Sequence, residues 1–394
     1  MKLKIDWKSK DAKEVKEVEN EKRRRFFELS GKYGFTAALA AAGAGTLLSP
    51  EASAQTARDE KEREDAAKYQ AIIATAYRLE QQIGLPYAVS ETKNNIQNMT
   101  NGKVYVKVAA NKVLGGGTEL AKKTQANTIQ IGQHSISNLA PYAKEVDLIN
   151  LPYWCADNQQ FNNLVHSDAW KDLVEKPAAE NGYKIFSYLT FDPRTTSVGA
   201  KFDEPIRVPS DLKGVKFRVP GSKILAQLYT LLGANPTPIA WGETAPAIKS
   251  GVADALDPSI EGLWVFGFGD ILNWVTFSAP VPDGNVLTMS KTWFDSLDSE
   301  TQEQIDFAAD VTTRQQLASV PAARAYVMAD MAKAGVQYYV PTADERAQWV
   351  EAAGHQRSEW DPFKVELAGS KKNFDRLVEA ANTFAGYYVH DLKA

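Results

Sequence analysis

At 394 residues, 44% of them hydrophobic, the chain can fill more than one core, and its length predicts two domains. Lys and Arg number 45 against 49 Asp and Glu, an acidic balance that excludes nucleic acid as an expected partner and offers no attraction to an anionic membrane surface. A single cysteine, Cys155, rules out an internal disulfide.

Residues 1–54 read as an export signal. Lys22-Arg23-Arg24-Arg25-Phe26-Phe27 precedes an apolar run from Phe35 to Leu48 and then Ala52-Ser53-Ala54, the basic, apolar and small-residue order of a cleaved leader. The run is too short for a membrane anchor, which needs about 20 apolar residues. The arginines ahead of Phe26-Phe27 resemble a twin-arginine export signal. That implies a periplasmic protein exported already folded, in a compartment where a lone cysteine is harmless. Without residues 1–54 the chain carries 34 Lys and Arg against 41 Asp and Glu. Residues 55–70, polar and charged, are expected to form a flexible tether.

Order is expected from Ala71-Ile72-Ile73-Ala74-Thr75-Ala76, a short apolar run suited to a buried parallel strand. Tyr77 and Arg78 lie just past its end, placed to meet a ligand. Pro86 to Met99 reads as a helix, and Gly102 turns the chain into Val104–Val108, whose valines alternate with the period of a strand. Gly115-Gly116-Gly117-Thr118-Glu119 leads into a helix through Ala126, and Thr128 to Gly132 supplies the next strand. No Gly-Lys-Ser/Thr follows the glycines, so they do not make a phosphate loop. Gln133-His134-Ser135 can face a ligand or simply satisfy local backbone. Helices are expected around 160–166 and 170–181. An alternating strand from Tyr183 to Leu189 then runs into Asp192-Pro193-Arg194-Thr195-Thr196-Ser197.

The stretch from Lys213 to Pro258 carries most of the functional signal. Val215, Phe217 and Val219 alternate with Lys216 and Arg218, so Arg218 points away from the strand's apolar face. Pro220-Gly221 ends the strand, Ser222 caps a helix with apolar Ile224, Leu225, Leu228, Leu231 and Leu232, and Gly233 closes it. An edge segment at 235–239, a short helix from Glu243 to Ser250 and a strand at 252–256 complete a β-α-β-α-β unit. An arginine at the carboxyl end of such a strand sits where open α/β sheets place ligands, and its planar fork suits a carboxylate. The alternative is a strand-end arginine making only a surface ion pair.

Leu212-Lys213-Gly214-Val215-Lys216-Phe217-Arg218-Val219-Pro220-Gly221-Ser222, Leu232-Gly233-Ala234-Asn235-Pro236 and Gly251-Val252-Ala253-Asp254 resemble the solute-binding subunit of tripartite ATP-independent periplasmic (TRAP) transporters. The resemblance implies two α/β lobes around a cleft, joined by crossing strands and a long helix. It also implies an organic acid as ligand and membrane permease subunits as partners. Arg218 matches the arginine that clamps the substrate carboxylate, Arg194 matches a second arginine near the hinge, and Trp241 in Trp241-Gly242-Glu243 matches an aromatic placed against the ligand. Where many members have Asp-Gly-x-Glu-Asn-Pro, this chain has the shorter Asp254-Ala255-Leu256-Asp257-Pro258. Asp257 is therefore expected to neutralise one arginine, with binding of a ligand hydroxyl or amino group, or of a bridging metal, as alternatives.

Further along, 262–274 is expected to be an aromatic-dense helical region, either core or cleft wall. Val281 to Met289 reads as a returning strand with Asp283-Gly284 as its turn. Ser299 and Gln302 form a capping box for a long helix to Lys333, which Pro321 should kink or break. A strand at 336–340 and helices at 344–354, 362–367 and 374–388 end the chain.

No zinc motif, nucleophile elbow or dinucleotide fingerprint occurs, so neither an enzyme nor a cofactor or metal is expected. The expected organisation is one lobe from 71–192 and 281–318 and another from 193–280 and 319–394. Its ligand is expected to be a monocarboxylate with an apolar or aromatic body, with a C4-dicarboxylate or 2-oxo acid as alternative. A periplasmic enzyme or a ligand sensor on the same scaffold is the other possibility.

Overall fold

A computed structural model describes residues 59–79, 85–155, 157–239 and 241–389. The export signal expected at 1–54 lies outside them. Within the expected tether, residues 59–66 are helical. Glu60 fixes this helix to the body by accepting hydrogen bonds from Lys93 and, at 3.2 Å, from the Tyr105 hydroxyl.

Two sheets form the frame. The first has the order β2-β1-β3-β10-β4, built from β1 (Tyr69–Thr75), β2 (Val104–Ala109), β3 (Ile131–Ser135), β4 (Tyr183–Thr190) and β10 (Gly284–Ser290). β1 pairs in parallel with β2 and β3, whereas β10 runs antiparallel to β3 and β4. Ile73 at the centre of β1 is fully buried, as an apolar strand between two parallel neighbours should be. β3 starts later than the sequence predicts, because 127–130 form the turn out of the preceding helix and Gln133-His134 belong to the ladder.

The second sheet has the order β11-β9-β5-β8-β6-β7. Its strands are β5 (Thr196–Gly199), β6 (Lys216–Val219), β7 (Asn235–Pro238), β8 (Ala255–Leu256), β9 (Leu272–Thr276) and β11 (Gln337–Tyr339). β9 corrects the expected helical region. Only Ile260–Val265 and a 3-10 turn at Phe268–Asp270 are helical, and Leu272–Thr276 is a strand paired with β5 and β11.

Helices cover both sheets: α1 (Leu85–Met99), α2 (Thr118–Gln125), α3 (Asn158–Val165), α4 (Lys223–Leu231), α5 (Trp241–Ser250), α6 (Ile260–Val265) and α7 (Ser299–Lys333). Asp298, not Ser299, caps α7, accepting from the Thr301 amide at 2.8 Å, so the expected Ser299–Gln302 box is absent. Pro321 does not end the helix, which runs uninterrupted for 35 residues. Its first half packs on β4, where the Gln316 side chain donates to Thr190 O at 2.7 Å and accepts from Thr190 N at 3.1 Å. Its second half packs on α6, with Trp264 Nε1 donating to Asp330 Oδ2 at 2.8 Å.

Besides α7, which leads from β10 to β11, two extended chain segments cross between the sheets, one from β4 to β5 and one from β9 to β10. They bond to each other through Arg194 N donating to Val281 O at 3.0 Å. The chain ends in α8 (Ala343–Ala353), α9 (Asp361–Ala368) and α10 (Lys371–Ala381). Trp349 of α8 donates to Arg207 O at 2.8 Å, while α10 lies on α3, where Asn163 Nδ2 donates to Ala381 O at 3.0 Å.

Candidate ligand-binding cleft

A cavity of about 810 Å³ opens between the carboxyl ends of β1, β2 and β3 in one sheet and of β6, β7 and β8 in the other, the position at which open α/β sheets receive ligands. One wall is polar, with Gln133, Ser135, Ser137 and Asn138. The other is aromatic, with Tyr77, Phe191, Trp241 and Phe266. Gly115-Gly116-Gly117 also line it, and Gly117, at φ 56, starts α2 with a backbone that a side chain would strain.

Arg218, the penultimate residue of β6, lines this cavity and is 4% exposed. Its Nε and Nη2 both donate to Ile239 O, at 3.0 and 2.9 Å, and its guanidinium carbon lies 5.1 Å over the Trp241 ring. The surface ion pair is thus ruled out by geometry. Nη1 has no partner among the described residues. Burial pulls the pKa down to about 10, with Asp257 opposing the shift and Arg194 adding to it. Trp241, at the start of α5, stacks on Phe268 with ring centroids 5.3 Å apart and meets Phe266 edge-on at 5.0 Å.

Arg194 lies in the first crossing segment. Its Nη1 is 3.2 Å from Asp257 Oδ2 and its Nη2 is 3.3 Å from Asp283 Oδ1, and these two carboxylates hold its pKa above the ordinary range against burial. Asp257 is fully buried and lies behind the cavity wall rather than in it. Its pairing with Arg194 is an ion contact outside hydrogen-bond geometry, and burial pushes its carboxyl up.

Tyr77 lines the cavity and donates to Asn285 Oδ1 at 3.0 Å, its phenol pushed up by burial. Arg78, which the sequence places toward a ligand, and Glu243, a further ligand-binding candidate in the Trp241-Gly242-Glu243 motif, are exposed and outside the lining. Arg78 follows the strand by one residue too many, so it turns to solvent after Tyr77. Glu243 sits in the first turn of α5, two residues after Trp241 and so roughly on the opposite side of the helix.

Sequence reasoning missed Asp283, which accepts from the amides of Ser259 at 2.9 Å and Gly284 at 3.0 Å as well as facing Arg194. Its Asp-Gly dipeptide looks like a turn, and no local signal separates the two roles. His134 lines the cavity as a buried ring, with Nε2 3.0 Å from Thr288 Oγ1, and burial lowers its pKa to about 4, so it is neutral. Among the described residues no group of three or more His, Cys, Asp or Glu is arranged to hold a metal, and no helix is long and apolar enough to cross a membrane.

The family model described as bacterial extracellular solute-binding protein, family 7, matches residues 85–360. The chain is 23% identical over 270 residues to the 2,3-diketo-L-gulonate-binding periplasmic protein YiaO of Escherichia coli K12, covering 68% of this chain and 80% of that protein. It is 23% identical over 295 residues to the C4-dicarboxylate-binding periplasmic protein DctP of Vibrio cholerae, covering 75% and 84%. Its fold matches that of a TRAP periplasmic solute-binding protein from Chromohalobacter salexigens with bound D-glucuronate, with a TM-score of 0.72 at 18% identity, covering 79% of this chain and 99% of that one. With one family model covering ten of the eleven strands and a cleft between the two sheets, the chain belongs to the bacterial extracellular solute-binding proteins of family 7, periplasmic binding proteins of TRAP transporters.

Proposed function

We propose that the protein captures an organic acid by its carboxylate at Arg218 and delivers it to the membrane permease subunits of a TRAP transporter. The observation that carries this reading is a buried guanidinium, held in orientation by the Ile239 carbonyl, whose Nη1 edge is left for a ligand. A carboxylate there would gain charge-assisted hydrogen bonds in a site that water barely reaches. Arg194, with its charge already met by Asp257 and Asp283, orients the ligand, and Trp241 packs on the ligand body. Closure of the two sheets about the crossing segments follows from ligand contacts made better in the closed state.

The aromatic wall favours a monocarboxylate with an apolar or aromatic body. The polar wall of Gln133, Ser135, Ser137 and Asn138 supports a second reading, a hydroxylated acid such as the D-glucuronate bound by the Chromohalobacter protein. A thermal-shift screen against organic acids separates these, since a ligand at one hundred times its Kd adds about 2.7 kcal/mol of stability. Arg218→Ala is expected to abolish the shift for every acid that binds. An acid bound equally well by that variant would refute the clamp, and product formed from any acid would refute a purely binding role.

A further inference from the structure

The buried charges beside the cavity leave no surplus of positive charge for an incoming anion. Arg194 and Arg218 face Asp257, Arg194 also faces Asp283, and Asp147 lies within electrostatic reach of Arg194. Three carboxylates therefore stand against two guanidinium groups before a ligand arrives. A carboxylate docked on Arg218 makes this enclosed set more negative by one charge, and an uncompensated buried charge is strongly unfavourable.

The three aspartates differ in how well they hold a negative charge. Asp283 has two backbone amides and Arg194. Asp147 accepts from Asn150 Nδ2 at 2.6 Å and from the Ser222 hydroxyl at 3.2 Å. Asp257 has one ion contact at 3.2 Å, and neither of its oxygens has a hydrogen-bond partner among the described residues. The groups that face it are Arg194 from the first crossing segment, Asp283 from the second, Arg218 from β6 and Tyr229 from α4. The Tyr229 hydroxyl is itself buried with no hydrogen-bond partner among the described residues.

We propose that capture of a ligand carboxylate takes up one proton from solvent, and that Asp257 holds it. The ligand enters as an anion, the proton adds to an Asp257 carboxylate oxygen, and the charge of the enclosed set is unchanged. A protonated Asp257 can donate as well as accept, which suits the unpartnered Tyr229 beside it. Burial already pushes this carboxyl in the direction of protonation. Asp257 thereby selects by charge: a simple carboxylate needs a proton, whereas a ligand that brings its own cation does not.

This inference rests on the carboxylate reading of the cleft. The test is calorimetric titration at about pH 7 in phosphate and in Tris, whose ionisation enthalpies differ, using whichever of D-glucuronate, succinate and phenylacetate binds most tightly. Close to one proton taken up per ligand is expected for the native protein, near zero for Asp257→Asn, and undiminished uptake for Asp147→Asn. If Asp257→Asn does not fold, the native protein decides alone, since its affinity must fall about tenfold per pH unit while the complex keeps the proton that the free protein has lost. Binding without proton uptake, or uptake lost in Asp147→Asn instead, overturns the assignment to Asp257. If none of the acids binds, the carboxylate reading itself fails.

Discussion

Glu261 is a carboxylic acid that the fold keeps from water: it is 4% exposed, in the first turn of α6, with Oε2 unpartnered among the described residues. Burial, and then the neighbouring Asp192 charge, push its pKa up to about 8, against a partial opposing effect of Arg324. From the ordinary value of 4.5 up to about 8, the folded state therefore holds a proton that the unfolded chain has released. Stability contributed by this group is lost as pH rises through that window, because the unfolded state then binds fewer protons than the native one. Urea denaturation of the native protein and of Glu261→Gln at several pH values measures this. The native protein should lose stability between pH 5 and about 8 relative to the variant, and parallel pH profiles would remove Glu261 as the cause. The same residue-scale logic distinguishes the arginines of the cleft. Arg218 was legible from sequence because strand alternation and a Pro-Gly stop are local patterns. The Arg194–Asp283 contact was not, because it joins residues 89 positions apart in two segments that only the fold brings together.

At the scale of single elements, α4 shows how a local device can serve a long-range contact. Ser222 caps it, accepting from Leu225 N at 3.2 Å, and the same hydroxyl donates to Asp147 in the 3-10 turn Lys144–Asn150. Ser222→Ala should cost about 1 kcal/mol for the cap alone, whereas glycine at a cap position costs only a few tenths. Comparing Ser222→Ala and Ser222→Gly by urea denaturation separates the two roles. A near-native glycine variant assigns the effect to capping, and equal losses assign it to the Asp147 bond. The cap was visible in the sequence as Ser222 before an apolar helix, and so was the whole run of β6, α4 and β7, since each has an unbroken period and a Gly or Pro boundary. β9 was not, because Ile271-Leu272-Asn273-Trp274 continues an aromatic cluster and its pairing with β5 and β11 is non-local. The helix at 59–66 was hidden for a similar reason: its sequence is polar, and what fixes it is Glu60 reaching Lys93 and Tyr105.

For the molecule as a whole, the question is what holds the two sheets in register while leaving them able to close. The first crossing segment is clasped to α7 by Arg324, which donates from Nε and Nη2 to the two oxygens of Asp192, three residues beyond Pro321. Asn158 Nδ2 adds a donor at 3.3 Å from the α3 side, and Glu261 contributes the second carboxyl from α6. Three helices, α3, α6 and α7, thus meet at one side chain of the crossing segment. Removing Arg324 would leave two neighbouring buried carboxyls without their cation, and breaking a buried pair from one side typically costs about 3–5 kcal/mol. Arg324→Ala should therefore lower the denaturation midpoint steeply, while Arg324→Met combined with Asp192→Asn, which removes both charges, should recover much of the loss. The functional consequence is separable from the stability one. If the clasp guides closure, small-angle scattering of the double variant with saturating acid should show less compaction than the native protein does, even though the Arg218 site is untouched. Native-like compaction would mean that the clasp fixes the hinge in place without steering its motion, and that closure is governed by the contacts across the cleft alone.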